Sequence, residues 1–238
     1  MRVNWNLIKL SIGLVLIGAL FGFSNQRNNA RNLSEFQLVF IDDNEPFITH
    51  SSVNKLLIQN NDSVTGIAKE SLVLREMEQR LVDHPMVLDA QVFVTIDGRL
   101  GALVEQRNPI GRIAGSPHFY MDDRCKEMPL SEVRSARVPL VTGATTENFE
   151  PLYPLLIAVD NDEFMKQLVV GIHKNTNGTV ELRLRKYNGK VLFGKVEQIE
   201  KKFQNFKAFY QKTKQDNTLT SYGLINLQFG DQVVATKN

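Results

Sequence analysis

The chain has 238 residues and carries 28 Lys and Arg against 26 Asp and Glu, a formal net charge of +2 spread along its length. So weak a field argues against a nucleic-acid partner. A hydrophobic share of 42% with 23% charged residues is ordinary globular usage; it excludes wholesale disorder and leaves room for two modest domains. Cys125 stands alone, so no intrachain disulfide, Cys-ligated zinc site or C-x-x-C redox pair can be built.

From Leu7 to Phe23 the sequence is apolar except for Lys9 and Ser11. At ~1.5 Å per residue the run makes a helix of roughly 25 Å, slightly short of a hydrocarbon core of about 30 Å. Trp5 suits the interface and Lys9 can snorkel towards it. Gly22-Phe23-Ser24 offers a small-x-small cleavage site, but the run is long and no A-x-A follows, so a retained anchor is expected rather than a cleaved signal. A buried core helix needs a polar face, which the run lacks. Arg2 and Lys9 on one flank and Arg27 and Arg31 on the other leave the charge bias undecided. The short tail, residues 1–6, gives the expectation of a cytoplasmic N-terminus. Residues 24–33, rich in Asn, read as a solvated linker.

Phe36 to Ile41 forms a first strand, closed by the turn cluster Asp42-Asp43-Asn44-Glu45-Pro46. Ser51 or Ser52 can cap a helix from Val53 to Gln59. Leu74, Met77 and Leu81 recur at helical spacing up to Pro85. Ala90, Val92, Val94 and Ile96 alternate along one strand, Asp97-Gly98 suits a two-residue hairpin turn, and a return strand runs from Arg99 to Gln106. The order is β-α-α-β-β, a small sheet with two helices on one face.

Beyond Asn108-Pro109 the texture changes to short strands at Ile110 to Ile113, Phe119 to Met121 and Val138 to Val141. A helical stretch follows around Leu152 to Val159, and Asn161 to Leu168 either starts another or leads into a strand at Val169 to His173. Thr179 to Arg185 alternates strictly, and Asn188-Gly189 signals a second hairpin into Lys190 to Phe193. Val196, Ile199, Phe203, Phe206 and Tyr210 mark an amphipathic helix, after which Ser221 to Thr236 returns to strand texture.

The residues needed for catalysis are not assembled by any recognisable motif. His50, His84, His118 and His173 are far apart, and no H-E-x-x-H, phosphate loop, nucleophile elbow or Ser-x-x-Lys occurs. Asp160-Asn161-Asp162-Glu163 lacks EF-hand spacing and is explained as a helix cap; Asp122-Asp123 is the other acidic pair. Asn32, Asn61 and Asn177 open Asn-x-Ser/Thr triplets that are not above chance in so Asn-rich a chain. No catalytic residue, metal ligand or cofactor is expected, and the chain reads as a binding protein rather than an enzyme.

LVDHPMVLDAQVFVTIDGRLGALVEQRNPIGRI resembles the end of a POTRA domain of the bacterial division family FtsQ/DivIB: Pro85-Met86-Val87 precedes Ala90-Gln91-Val92, Leu100 opens the closing strand, and Glu105, Arg107 and Pro109 mark its exit. Phe119 to Leu130 and Val138 to Gly143 resemble the start of that family's β domain, and Ile225 to Phe229 its final strands. Ile96-Asp97-Gly98-Arg99 departs from the family's usual aromatic-Pro turn. The resemblance implies an α+β chain: a transmembrane helix at 7–23, a POTRA domain at 34–108, and at 109–238 a mixed, mostly antiparallel β domain with a C-terminal amphipathic helix and terminal strand. It implies a divisome scaffold in the inner membrane at the septum, with both domains outside the cytoplasm. Its partners would be FtsB- and FtsL-type bitopic proteins, with other divisome components on the POTRA domain. Strand addition at the C-terminal edge would engage Tyr222, Ile225, Leu227, Phe229, Gly230, Asp231, Gln232, Val233, Val234 and Ala235. Phe229 is either a partner anchor or core. The alternative is a POTRA-containing accessory of outer-membrane protein assembly or transport.

Overall fold

The computed structural model describes residues 5–29, 35–41, 46–58 and 74–237. The turn expected at 42–45, Gln59, the last linker residues, and Asn32 and Asn61 lie outside them. Helix α1 spans Trp5–Asn29. Its stretch Lys9–Gln26 is long and apolar enough to cross a membrane, and none of it is buried. The helix continues through Ser24 to Asn29, part of the expected linker, because no Pro or Gly follows Gly22 to end it. The chain folds into two compact units, residues 1–106 and 107–238.

In the first unit β1 (Glu35–Phe40) is followed by α2 (His50–Ile58), α3 (Leu74–Val82), β2 (Val87–Val94) and β3 (Arg99–Gln106). The sheet order is β1-β3-β2, with β1 parallel and β2 antiparallel to β3. Alternation along β2 and β3 turns Ala90, Val92, Leu100, Ala102 and Val104 inward, where Val53 and Leu57 of α2 and Met77 and Leu81 of α3 bury them. Helix α2 begins at His50, earlier than expected, so its cap is Thr49 rather than Ser51 or Ser52: Ser52 N donates to Thr49 Oγ1 at 2.9 Å.

The β2–β3 hairpin corrects the two-residue turn. Thr95 N donates to Arg99 O (2.9 Å) and Gly98 N to Thr95 O (3.0 Å), which closes a three-residue loop of Ile96, Asp97 and Gly98. A two-residue type I′ turn needs positive φ at both central residues, and here only Gly98, at φ 87°, has it. The register is pinned on the other face, where Phe93 lies over Gly101, its strand partner; a Cβ there would sit 2.4 Å from the ring.

The second unit contains β4 (Pro109–Ile113), β5 (Phe119–Asp122), β6 (Glu127–Pro129), β7 (Leu140–Thr142), α4 (Tyr153–Asn161), α5 (Glu163–Leu168), β8 (Val169–Lys174), β9 (Val180–Leu184), β10 (Lys190–Gly194), α6 (Ile199–Gln215), β11 (Tyr222–Asn226) and β12 (Val234–Lys237). Nine strands form one sheet in the order β12-β11-β10-β9-β8-β7-β4-β5-β6, and five of its eight pairings are antiparallel. Register places Phe119, Ile113, Val141, Ile172, Leu182, Val191, Ile225 and Ala235 side by side across eight strands. The first seven are buried with Leu155, Met165, Phe203 and Phe206 from the helices.

The hairpin signals in this unit also shift. Asn175 N donates to Thr179 O and Gly178, at φ 80°, closes a three-residue loop between β8 and β9. Between β9 and β10 the left-handed residue is Lys186, at φ 59°, not Gly189. Gly189 is needed for space: a Cβ would lie 2.2 Å from the hydroxyl of buried Tyr187. The strand texture of Ser221 to Thr236 divides into β11 and β12 with a turn between them.

The acidic clusters are structural. Asp162 caps α5, accepting from Met165 N at 3.1 Å. Asp122 is fully buried and accepts from Arg124 N (3.0 Å), Lys126 N (2.6 Å) and Arg107 Nη1 (3.0 Å). Removing one partner of such a buried pair leaves the other charge uncompensated. Asp122→Ala is therefore expected to destabilise the second unit by about 3 kcal/mol, seen as a lowered melting temperature of the detergent-solubilised chain; Asp122→Asn should lose less.

Candidate functional site

Among the described residues, strand β12 is an edge of the nine-stranded sheet and is bonded on one side only, to β11. Which of its backbone groups are free follows from one hydrogen bond. Leu227 N donates to Leu192 O (2.8 Å), so the odd residues Ile225 and Leu227 direct their backbone towards β10. Leu224 and Asn226 then face β12, through their partners Thr236 and Val234. Ala235 and Lys237 are left with N–H and C=O pointing away from the sheet, where a further strand could pair.

The turn before β12 is held by α6. Asn205 Nδ2 donates to Gly230 O at 3.0 Å, and Lys201 pairs with Asp231. Gly230 lies close against Gln198, whose Oε1 would be 2.0 Å from an added Cβ, so a larger residue there would make the Gln198 side chain move. Gln232 N donates back to Phe229 O at 3.3 Å. Phe229 stands at this turn with 51% of its surface exposed, so it is not core. Val233 packs partly against the core and Val234 is exposed.

The remaining residues of the expected partner site have other surroundings. Ile225 and Leu227 are buried core, so their side chains are unavailable to a partner. Tyr222 packs edge-on to Phe209 at 5.5 Å, and its carbonyl accepts from the Tyr187 hydroxyl at 3.0 Å. Gly230 to Val233 form a tethered turn rather than an edge, and the edge itself is Val234–Lys237. Thr236 and Lys237 complete it and were not among the residues expected from the sequence; their role is set by pairing with β11, which has no signature in the chain.

Helix α6 is an amphipathic cover whose polar side also holds the turn before β12 and the end of β10. Lys202 is buried, donating from Nζ to Phe193 O (3.1 Å) and Lys195 O (2.8 Å) and lying 4.6 Å from the centre of the Phe193 ring. Burial holds its pKa below the ordinary lysine value, against the opposing pull of Glu197. The open face of the same sheet carries a groove of about 470 Å³ that includes His173, Glu181, Arg183 and Lys190 in its lining. Arg183 lies across Gly171, and His173 Nδ1 is 2.8 Å from Thr142 Oγ1. Among the described residues no group of three His, Cys, Asp or Glu side chains is placed to hold a metal.

The sequence profile described as FtsQ/DivIB, C-terminal related, matches residues 108–236, and that of a POTRA-like domain matches residues 34–105. The chain belongs to the FtsQ/DivIB family. Family membership gives it a role in cell division, and the family's members are non-enzymatic. One apolar N-terminal helix fits a single-pass membrane protein of this family. No curated protein matches the chain.

The tether between Lys201 and Asp231 has a titration consequence. The hydrogen bond and charge of Lys201 hold the Asp231 carboxyl below its ordinary pKa of 3.8. A carboxylate so depressed keeps its tether fully above 3.8 and loses it as pH falls through the lower, folded-state value. Lys201→Ala is expected to raise the Asp231 midpoint back towards 3.8, read by carboxyl-carbon NMR; an unmoved midpoint would show that the pair is not formed in solution.

Proposed function

We propose that the chain is a non-enzymatic scaffold of the division machinery, anchored in the cytoplasmic membrane by α1 with its N-terminus inside and both folded units outside. It acts at the division septum. Its β12 edge receives an extended segment of an FtsB- or FtsL-type bitopic partner, and its POTRA-like unit serves further divisome components. The observation that carries this reading is the conjunction at β12: outward backbone groups at Ala235 and Lys237 beside an exposed aromatic, Phe229, on a turn fixed by α6. Backbone pairing supplies the geometry of strand addition, while an aromatic at its end supplies the desolvated contact. Lys190 adjoins Leu224 and, through it, Thr236, so the groove begins two strands in from the same edge.

Two substitutions separate the contributions. Phe229→Ala removes an exposed ring and leaves the core intact. Ala235→Pro deletes an outward N–H but none of the bonds to β11. Each is expected to weaken capture of a purified FtsB-type partner about tenfold with little change in melting temperature. Undiminished capture by both folded variants would refute the assignment of β12 as the partner site.

A further inference from the structure

A sheet edge recruits strands only where its outward amides have no acceptor of their own. The first unit has an edge at β2, and two of its outward amides are occupied from within. Val92 N donates to Glu78 Oε1 at 2.8 Å, although Glu78 belongs to α3. Ala90 N donates to Asp89 Oδ1 at 2.9 Å. Both amides point away from β3: Thr95 N donates across the hairpin to Arg99 O, so by alternation Gln91 and Phe93 direct their backbone to β3 while Ala90 and Val92 direct theirs outward. Helix α3 packs on the face that Val92 and Ala90 line, and from there Glu78 reaches round the rim of the sheet to its edge.

The two bonds differ in strength of closure. Asp89 is exposed and bonds its own chain neighbour, so rotation of one side chain releases Ala90. Glu78 is half-buried, arrives from a separate element, and offers a carboxylate, an acceptor stronger than the peptide carbonyl a partner strand would bring. An incoming strand has to displace this charge-assisted bond and gains only a neutral one.

We propose that Glu78 is a built-in substitute for a neighbouring strand, closing the β2 edge so that an extended segment is refused there and accepted at β12. Closure of β2 stands on its own observations; the contrast with β12 rests on the function proposed above. Glu78 is thereby a residue that determines specificity, directing strand addition away from β2 and towards β12. Withdrawing it converts the POTRA-like unit into an acceptor of extended peptides.

The test uses the full chain in detergent, carrying Ala235→Pro to close β12, and a fluorescein-labelled octapeptide of alternating valine and threonine. Glu78→Ala is expected to bind the peptide about tenfold more tightly than the parent, in line with one edge bond gained, and to exchange the Val92 amide hydrogen at least about tenfold faster. Glu78→Asp, one methylene shorter, should open the edge in the same way and serves if the alanine variant fails to fold. Glu78→Gln keeps an acceptor oxygen at the same reach without the charge and should fall between the parent and Glu78→Ala in both readouts. Unchanged Val92 exchange or unchanged peptide affinity in a folded Glu78→Ala or Glu78→Asp chain overturns the proposal, as does a Glu78→Gln chain that opens further than Glu78→Ala. None of these readouts depends on partner capture at β12, so the two proposals fail separately.

Discussion

A single row of apolar side chains crosses the nine-stranded sheet, from Phe119 in β5 through Ile113, Val141, Ile172, Leu182, Val191 and Ile225 to Ala235 in β12. Each must face the helices, and a one-residue slip in any strand would turn its whole apolar set to solvent. The row therefore fixes register through parallel and antiparallel pairings alike. It also fixes the chemistry of the edge, because side-chain direction and backbone direction alternate together along a strand. With the backbone of Ile225 and Leu227 turned to β10 and that of Leu224 and Asn226 turned to Thr236 and Val234, the backbone groups of Ala235 have only outside to point.

An open sheet must place the backbone groups of its outer strands somewhere, and this chain uses different means at different edges. Strand β6 is three residues long and ends on Pro129, which has no N–H to offer. Strand β2 has Glu78 and Asp89 on two of its outward amides. Strand β12 has neither device, and the structure instead spends polar groups of α6 on the turn beside it: Asn205 on Gly230 and Lys201 on Asp231. Preorganising the turn lowers the ordering cost of adding a strand, whereas capping the edge would raise it.

A four-residue edge offers few backbone hydrogen bonds, each worth only about 1 kcal/mol net. Affinity at β12 has to draw on more than pairing. Under the proposed function, Phe229 would add apolar contact at the turn, and residence in one membrane would confine chain and partner to a thin layer, which raises their effective concentration. The scaffold reading is consistent with this economy: a membrane-bound adaptor needs a precise geometry more than a high intrinsic affinity.

The sequence alone determined what local chemistry determines. The apolar run from Leu7 to Phe23, the β-α-α-β-β order, the alternation in Val180 to Leu184 and the stripe of Phe203 and Phe206 are all encoded by spacing, and the family wording followed from their order. Turn geometry was only half legible: Asp97-Gly98 and Asn188-Gly189 marked turns, but loop length and the residue with positive φ depend on the register of flanking strands. The edge was legible as a region and not in detail. Ile225 and Leu227 alternate as any strand does, and only the pairing with β10 and the cover of α6 show that their side chains are core while Phe229 is not. Lys202, Lys201, Asn205 and Glu78 look like solvated helix residues in the sequence. Their partners lie on other elements, Glu78 with Val92 across 14 residues and Asn205 with Gly230 across 25, and a contact between distant segments exists only once the tertiary fold has brought them together.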